Sequence, residues 1–428
     1  VVTPRLYAFS ASTPQALEAE TKDLAERLET GLPPRAVRRD LPYRRAVVAT
    51  DPADAARSLR GDGPCEVFSS DGARARNIVF LFSGVGDQYP GMAAGLYRYL
   101  PRFREELDRC LVRLRSEIGT DLHAVLYPEE PDRIQQSGAG GGRAGAPDLA
   151  ALFDRRASTQ PIHRTRVAQP LAFATQYALA RTFTMLGVAP TALVGYSVGE
   201  YVAACAAGVI RPHDALRLIG YRARLVDGLP PGAMLAVLAG PDAIAPYLAD
   251  GDVTVAALDG PGLTVLAGPP GPVERAARRL ADAEIACRRL ATGHAFHSPM
   301  MAPVEEPLRE ALTAIPLHPP AIPFPSNVTG TWITDAEATD PAYWARHLST
   351  PIRFAEALDA LGGLARPVTI ELGPGRTLTG LATHDGPKLR TLPGVFESRT
   401  DLEITLAALG RLWASGTDLA WSELRELP

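Results

Sequence analysis

Apolar positions along the chain fall into strand-like runs alternating with helix-like periods, a pattern that predicts an α/β protein. The run Ile78-Val-Phe-Leu-Phe82 is continuous, as in a strand buried on both faces, and it enters a glycine-containing turn over Ser83–Gln88. Further strands are predicted at Thr191–Val194 and at Val368–Leu372, the latter followed by a Gly373-Pro-Gly-Arg turn. Leu171, Phe173, Tyr177 and Leu179 give a helix over Pro170–Leu186, and similar spacing predicts helices over Leu216–Leu225 and Asp401–Ala414.

Two stretches have a different texture. Residues 1–76 read as a small α/β unit of their own. A strand at Leu6–Ser10 precedes a helix opened by Thr13-Pro14, and a strand at Arg45–Ala49 precedes a second helix opened by Asp51-Pro52. Both openings set a capping side chain before a proline at the first helical position. From 229 to 296, short strands at Met234–Leu238, Val253–Leu258 and Leu263–Ala267 alternate with helices over 241–249 and 272–284. That order predicts a split βαβ sheet. The glycine-rich segment Gln135–Pro147 lacks a preceding strand and a GK[ST] ending, so it reads as a surface loop and not as a phosphate cradle.

At 428 residues with 46% hydrophobic content, the chain is long enough for two or three folding units. Lys+Arg 44 against Asp+Glu 48, a net charge of −4, leaves no basic footprint for nucleic acid. No apolar run reaches membrane-spanning length and no charged-then-apolar leader is present, so no membrane partner is expected. A start at Val1 suggests a fragment or a processed chain. Cys65, Cys110, Cys205 and Cys287 have no metal-ligand spacing, which favours a reducing, cytoplasmic setting; Cys205 is expected to be a core residue.

The chemistry concentrates at Gly195-Tyr-Ser197-Val-Gly199, between a predicted strand and a small-residue helix through Tyr201–Ala207. Glycines on both sides relieve crowding at the turn, so this is the form of a nucleophile elbow, with Ser197 Oγ exposed at a helix N-terminus. A backbone N–H and the positive end of the helix dipole then face a developing oxyanion. The same residues also fit a capping box, Ser197 with Glu200, which carries no chemistry.

A serine nucleophile needs a base. His123, His163, His213, His318 and His384 stand singly and read as solvent-exposed. His294 and His297 lie three apart at the end of the small-sheet unit, where the chain crossing back could line a cleft; a pair of loop histidines is the plain alternative. Arg222 shares a helix with Arg224. It belongs either to a solvated face or to a cleft where its guanidinium holds a carboxylate, and spacing does not decide between them.

Taken in order, Phe82-Ser-Gly-Val-Gly-Asp-Gln88, Gln169-Pro170, Gly195-Tyr-Ser-Val-Gly-Glu200, Arg222, His294-Ala-Phe-His297, Tyr343-Trp-Ala-Arg-His-Leu348 and Glu371-Leu-Gly-Pro-Gly375 resemble the malonyl-type acyltransferase domain of type I polyketide synthases. The resemblance covers nearly the whole chain. It implies an α/β fold with a large α/β-hydrolase-like subdomain (77–228 and 297–385) and a small ferredoxin-like subdomain (229–296). Residues 1–76 would be an α/β linker domain after a ketosynthase, and 386–428 a post-acyltransferase linker. The activity implied is transfer of a malonyl unit from malonyl-coenzyme A, through an acyl-Ser197 intermediate, to the phosphopantetheine thiol of an acyl carrier protein. The ketosynthase of the same polypeptide is a second partner, and neither a cofactor nor a metal is expected on the domain.

Position by position, the resemblance makes Ser197 the nucleophile and His297 its base and later acid, oriented by the main-chain carbonyl of His347. The backbone N–H groups of Val85 and Val198 would form the oxyanion hole. Arg222 would clamp the free malonate carboxylate, Gln169 would line the same pocket, and His294 and Phe296 would bind the extender, with Phe296 filling the space a methyl branch needs. Three positions depart from the family pattern: Val85 replaces a usual Gln, Tyr196 a usual His before the nucleophile, and Asp259 a usual Asn before Gly-Pro. None of these removes a group that makes or breaks a bond.

Two other readings stay open. A serine hydrolase would be either an α/β-hydrolase thioesterase, whose histidine belongs late in the chain, or a patatin-like lipase whose Ser-Asp dyad would use Asp259. A non-catalytic docking scaffold would form no acyl-serine.

Overall fold

A computed structural model describes residues 3–34, 41–70, 77–128, 160–248 and 251–424; the glycine-rich segment 135–147 lies outside them. Its strands are β1 (Arg5–Ala11), β2 (Tyr43–Ala49), β3 (Val67–Ser69), β4 (Asn77–Phe82), β5 (Ala192–Gly195), β6 (Ala233–Val237), β7 (Thr254–Gly260), β8 (Leu263–Gly268), β9 (Cys287–Arg289), β10 (Pro367–Glu371) and β11 (Lys388–Arg390).

The main sheet is parallel, in the order β11-β10-β4-β5. Its centre is β4, whose Val79, Phe80, Leu81 and Phe82 are all buried, as a strand covered by helices on both faces requires. The sheet runs past the boundary expected at 385, because β11 pairs with β10. Beside it, the helix Thr165–Met185 starts ahead of the Pro170 expected to open it. Pro170 sits inside the helix, where it cannot donate to the carbonyl one turn back. Burial on almost every side carries the helix through this defect, so packing outweighs the local signal.

The first sheet is antiparallel, β1-β2-β3, with alternate residues feeding different cores. Tyr7 and Val47 meet Leu24, Leu28, Ala55 and Leu59 from the helices Pro14–Glu29 and Pro52–Arg60. Ala8, Ala46 and Phe68 face the other way, into the main core with Leu402, Leu406, Leu409 and Trp413 of the helix Asp401–Ala414. The described residues of the N-terminal unit therefore do not close on themselves; the far end of the chain covers one face. Arg44 anchors the contact, its guanidinium 4.1 Å from the Trp413 ring centroid and bonded at 2.7 Å to Asp418.

The third sheet has the order β7-β8-β6-β9, all antiparallel. Numbered within the unit this is 2-3-1-4, the order of a split βαβ fold. Leu235, Val237 and Leu266 pack under Val273, Ala276 and Leu280 of the helix Pro270–Asp282, while Met234, Ala256, Ala257 and Val265 turn toward the main body.

Candidate active site

The elbow forms where β5 stops at Gly195 and the helix Val198–Ala206 begins. Its tightness explains the glycines. A Cβ on Gly195 would lie 2.2 Å from the Glu200 nitrogen, and one on Gly199 would lie 2.0 Å from the Phe82 carbonyl oxygen. Ser197 takes φ 55° and ψ −117°, a conformation side chains rarely adopt. Its hydroxyl makes no capping bond. Glu200 is fully buried, and its carboxylate accepts hydrogen bonds from Tyr343 Oη and, at 2.8 Å, the Asn327 backbone N–H; His347 Nε2 lies 3.2 Å away. The capping-box alternative is thereby removed.

Ser197 Oγ lies 2.7 Å from His297 Nε2. The other ring nitrogen, Nδ1, lies 3.2 Å from the His347 carbonyl and 3.1 Å from the Thr350 carbonyl. Carbonyls only accept, so Nδ1 carries the hydrogen and Nε2 presents its lone pair to the serine. Burial holds the His297 pKa well below the ordinary histidine value, with smaller contributions from His347 and the Arg222 charge opposed by the two carbonyls. Like Ser197, His297 has a positive φ, 58°.

The loop after β4 lies against the same turn: a Cβ on Gly84 would come within 3.1 Å of the Tyr196 ring and 3.6 Å of Ser197 Cβ. Val85 follows Gly84 in this loop, while Val198 opens the helix, where first-turn N–H groups lack intrahelical acceptors.

Arg222 is 1% exposed, which excludes the solvated-face alternative; Arg224 is half-buried, 3.8 Å from Glu117. The Arg222 guanidinium stands 5.3 Å from the Tyr201 ring centroid, and Nη1 donates to Gln169 Oε1. Arg222 Nε and Nη2 and Gln169 Nε2 are buried without an acceptor among the described residues. Buried donors in that state are costly unless an incoming group satisfies them. His294 Nδ1 lies 2.8 Å from Thr165 Oγ1, and its ring is 6.2 Å from that of Phe296, which is also buried. Of the single histidines, His123, His213 and His318 are exposed, whereas His163 and His384 are half-buried. Cys205 is buried, and burial pushes its thiol pKa up, as a core residue requires.

Asp259 does not pair with Ser197. Its Oδ2 accepts from Tyr196 Oη at 3.3 Å, and its Oδ1 has no partner among the described residues. Sequence reading missed Asn327, which accepts from the Ser197 N–H at 2.8 Å and donates to the Gly195 carbonyl at 2.7 Å. It also missed Thr350, which acts through its backbone and leaves no mark in the sequence.

A family model, the acyl transferase domain, matches residues 79–388. A phenolphthiocerol/phthiocerol polyketide synthase polypeptide from Mycobacterium tuberculosis is 36% identical across 99% of this chain, which spans 28% of that relative's length. Among solved structures, the acyl transferase domain of SpnD in complex with 2-(pent-4-yn-1-yl)malonyl is 34% identical with TM-score 0.81, covering 99% of this chain and 98% of its own. The malonyl-CoA:acyl carrier protein transacylase of Xanthomonas oryzae is 28% identical with TM-score 0.59, over 73% of this chain and 94% of its own. With its elbow serine set against a buried histidine, the chain belongs to the acyl transferase domain family, in the branch found in type I polyketide synthases.

Proposed function

We propose that this domain transfers a malonyl unit from malonyl-coenzyme A to the phosphopantetheine thiol of an acyl carrier protein through an ester on Ser197. The observation that carries the reading is the buried Arg222 near the serine–histidine pair, with two donor nitrogens that have no acceptor among the described residues. A malonate carboxylate supplies the missing acceptors in a two-pronged geometry.

In the first half-reaction, His297 Nε2 takes the Ser197 hydroxyl proton as Oγ attacks the thioester carbonyl. The backbone N–H groups of Val85 and Val198 hold the oxyanion. Collapse breaks the C–S bond, and the proton on Nε2 passes to the departing coenzyme A sulfur. In the second half His297 takes the proton of the carrier thiol as its sulfur attacks the ester carbonyl, and when the C–O bond breaks Nε2 returns that proton to Ser197 Oγ. Among the described residues it is the carbonyls of His347 and Thr350, and not a carboxylate, that keep the His297 ring aimed and accept from the imidazolium as it forms. Gln169 holds Arg222 in place, and Phe296 with His294 bounds the space around the malonyl α-carbon.

The same reading assigns residues 1–76 to a ketosynthase-side linker, 229–296 to a small subdomain, and the carrier protein and ketosynthase as partners in the cytoplasm. The malonyl-derivative complex of the SpnD domain and the name of the Xanthomonas enzyme support it. The Ser-Asp dyad finds no support, because Asp259 pairs with Tyr196.

Intact-protein mass after incubation with malonyl-coenzyme A tests the assignment. The wild type gains one malonyl group and Ser197→Ala gains none; a label persisting on the alanine variant refutes it.

A further inference from the structure

Two of the positions that depart from the family pattern, Tyr196 and Asp259, touch each other, and they lie on different units. Tyr196 immediately precedes the nucleophile, whereas Asp259 sits near the end of β7 in the small sheet. The β7–β8 register slips between Leu258 and Gly260, so Asp259 falls where the ladder is irregular. A bulge of this kind re-aims a side chain, and here the side chain reaches the elbow.

The backbone of β7 leads back to the same place. Leu258 N–H donates to the Ile352 carbonyl at 2.8 Å, and Ile352 N–H donates to the Ala256 carbonyl at 2.9 Å. Just before Ile352, the Thr350 carbonyl holds His297 Nδ1. Just after it, Arg353 N–H donates at 2.8 Å to the carbonyl of Asn327, whose side chain holds the Ser197 N–H. Phe354, next along, packs edge-on against the Tyr196 ring at 5.0 Å. Residues 350–354 thus join the small sheet to both reacting residues, and the Tyr196–Asp259 bond closes the ring of contacts.

We propose that Tyr196 and Asp259 are positioning residues: their hydrogen bond fastens β7 to the nucleophile's turn and so keeps the His297 imidazole in line with Ser197 Oγ. The inference rests on the acyl-serine reading above. Asp259 is 8% exposed, and burial pushes its carboxyl up to about 6. A buried group with a single partner is costly to strand, so the contact holds both ends.

The test measures single-turnover acylation by malonyl-coenzyme A, normalised to the serine titrated as active, with KM and thermal midpoint in parallel. Tyr196→Phe and Asp259→Ala each slow acylation per active serine by about 10- to 100-fold, the scale of a small misalignment of reacting groups, and leave KM nearly unchanged. The double variant is no slower than the slower single one. Asp259→Asn recovers most of the loss, because its amide oxygen still accepts from the tyrosine hydroxyl. Unchanged rate constants per active serine, losses that multiply in the double variant, or an Asn variant as slow as the Ala variant would overturn the inference while leaving the acyl-serine reading intact. A wild-type chain that takes up no malonyl group overturns that reading and this inference with it.

Discussion

Asn327 grips the backbone of Ser197: its side-chain oxygen accepts the Ser197 N–H at 2.8 Å, and its amide nitrogen donates to Gly195 just before the turn. The serine's φ of 55° is held against its own preference, at a cost of order 1–3 kcal/mol. Asn327→Ala would leave two buried backbone groups unpaired, at about 1–3 kcal/mol each. The variant is expected to melt earlier and acylate more slowly, as read by thermal denaturation and by adduct formation with malonyl-coenzyme A. An unchanged acylation rate would mean that the turn holds itself.

His297 should give an unusual pH profile. Because burial lowers its pKa well below the ordinary value, the neutral base persists through neutrality and into acid. The profile of kcat/KM, which reports the free enzyme, should stay flat across the usual histidine range and fall only below it. The linkage has the same sign: below the ordinary histidine value the unfolded chain binds the proton that the folded chain refuses, so this contribution to stability is lost as pH falls. An inflection near the ordinary histidine pKa would contradict this. His297→Ala should slow acylation by roughly 10²–10⁴-fold.

Arg222→Ala should separate substrates. Malonyl transfer should collapse while acetyl transfer loses little, since acetyl brings no carboxylate for the buried guanidinium. Parallel assays with malonyl- and acetyl-coenzyme A read the ratio. Equal losses would make Arg222 a support for Tyr201 and Gln169, which it touches.

Extender choice should follow Phe296 and His294. A methyl branch rejected by a packed wall costs about 1–3 kcal/mol, or roughly 10–200-fold, so the wild type should prefer malonyl to methylmalonyl measurably. The double change His294→Tyr with Phe296→Ser should narrow the preference and lower the overall rate, because His294 also bonds Thr165. Competition between the two thioesters, read by acyl-enzyme mass, checks it; equal loading by the wild type would refute the steric account.

The parts of the site legible in the sequence are those encoded locally. The elbow is a few consecutive residues whose glycines report the crowding directly, and the main strands are runs of apolar residues. Arg222 and Arg224 look alike on one helix, and what separates them is Tyr201 and Gln169, which arrive from other helices. Asn327 resembles any loop asparagine until the chain folds back on Ser197. The contact between Tyr196 and Asp259 is hidden for the same reason, although each departs visibly from the family pattern on its own. Pro170 misleads because a proline marks a helix start only where packing leaves the choice open.

The helix Asp401–Ala414 lies on the face of the first sheet that the sheet's own helices leave bare. The two flanks of the chain are consequently one body, and the stretch matched by the family model, 79–388, is not a free-standing cassette. Moving only that stretch into another synthase would leave behind Asp401, which accepts from the Gly95 and Leu96 N–H groups at 2.7 and 3.2 Å, and Ala420, whose N–H donates to the Leu186 carbonyl at 2.8 Å, and would uncover the apolar side of Leu96. A graft that carries both flanks travels with its seam closed, which sets the cut points for exchanging this domain outside the flanks and not at the edges of the matched centre.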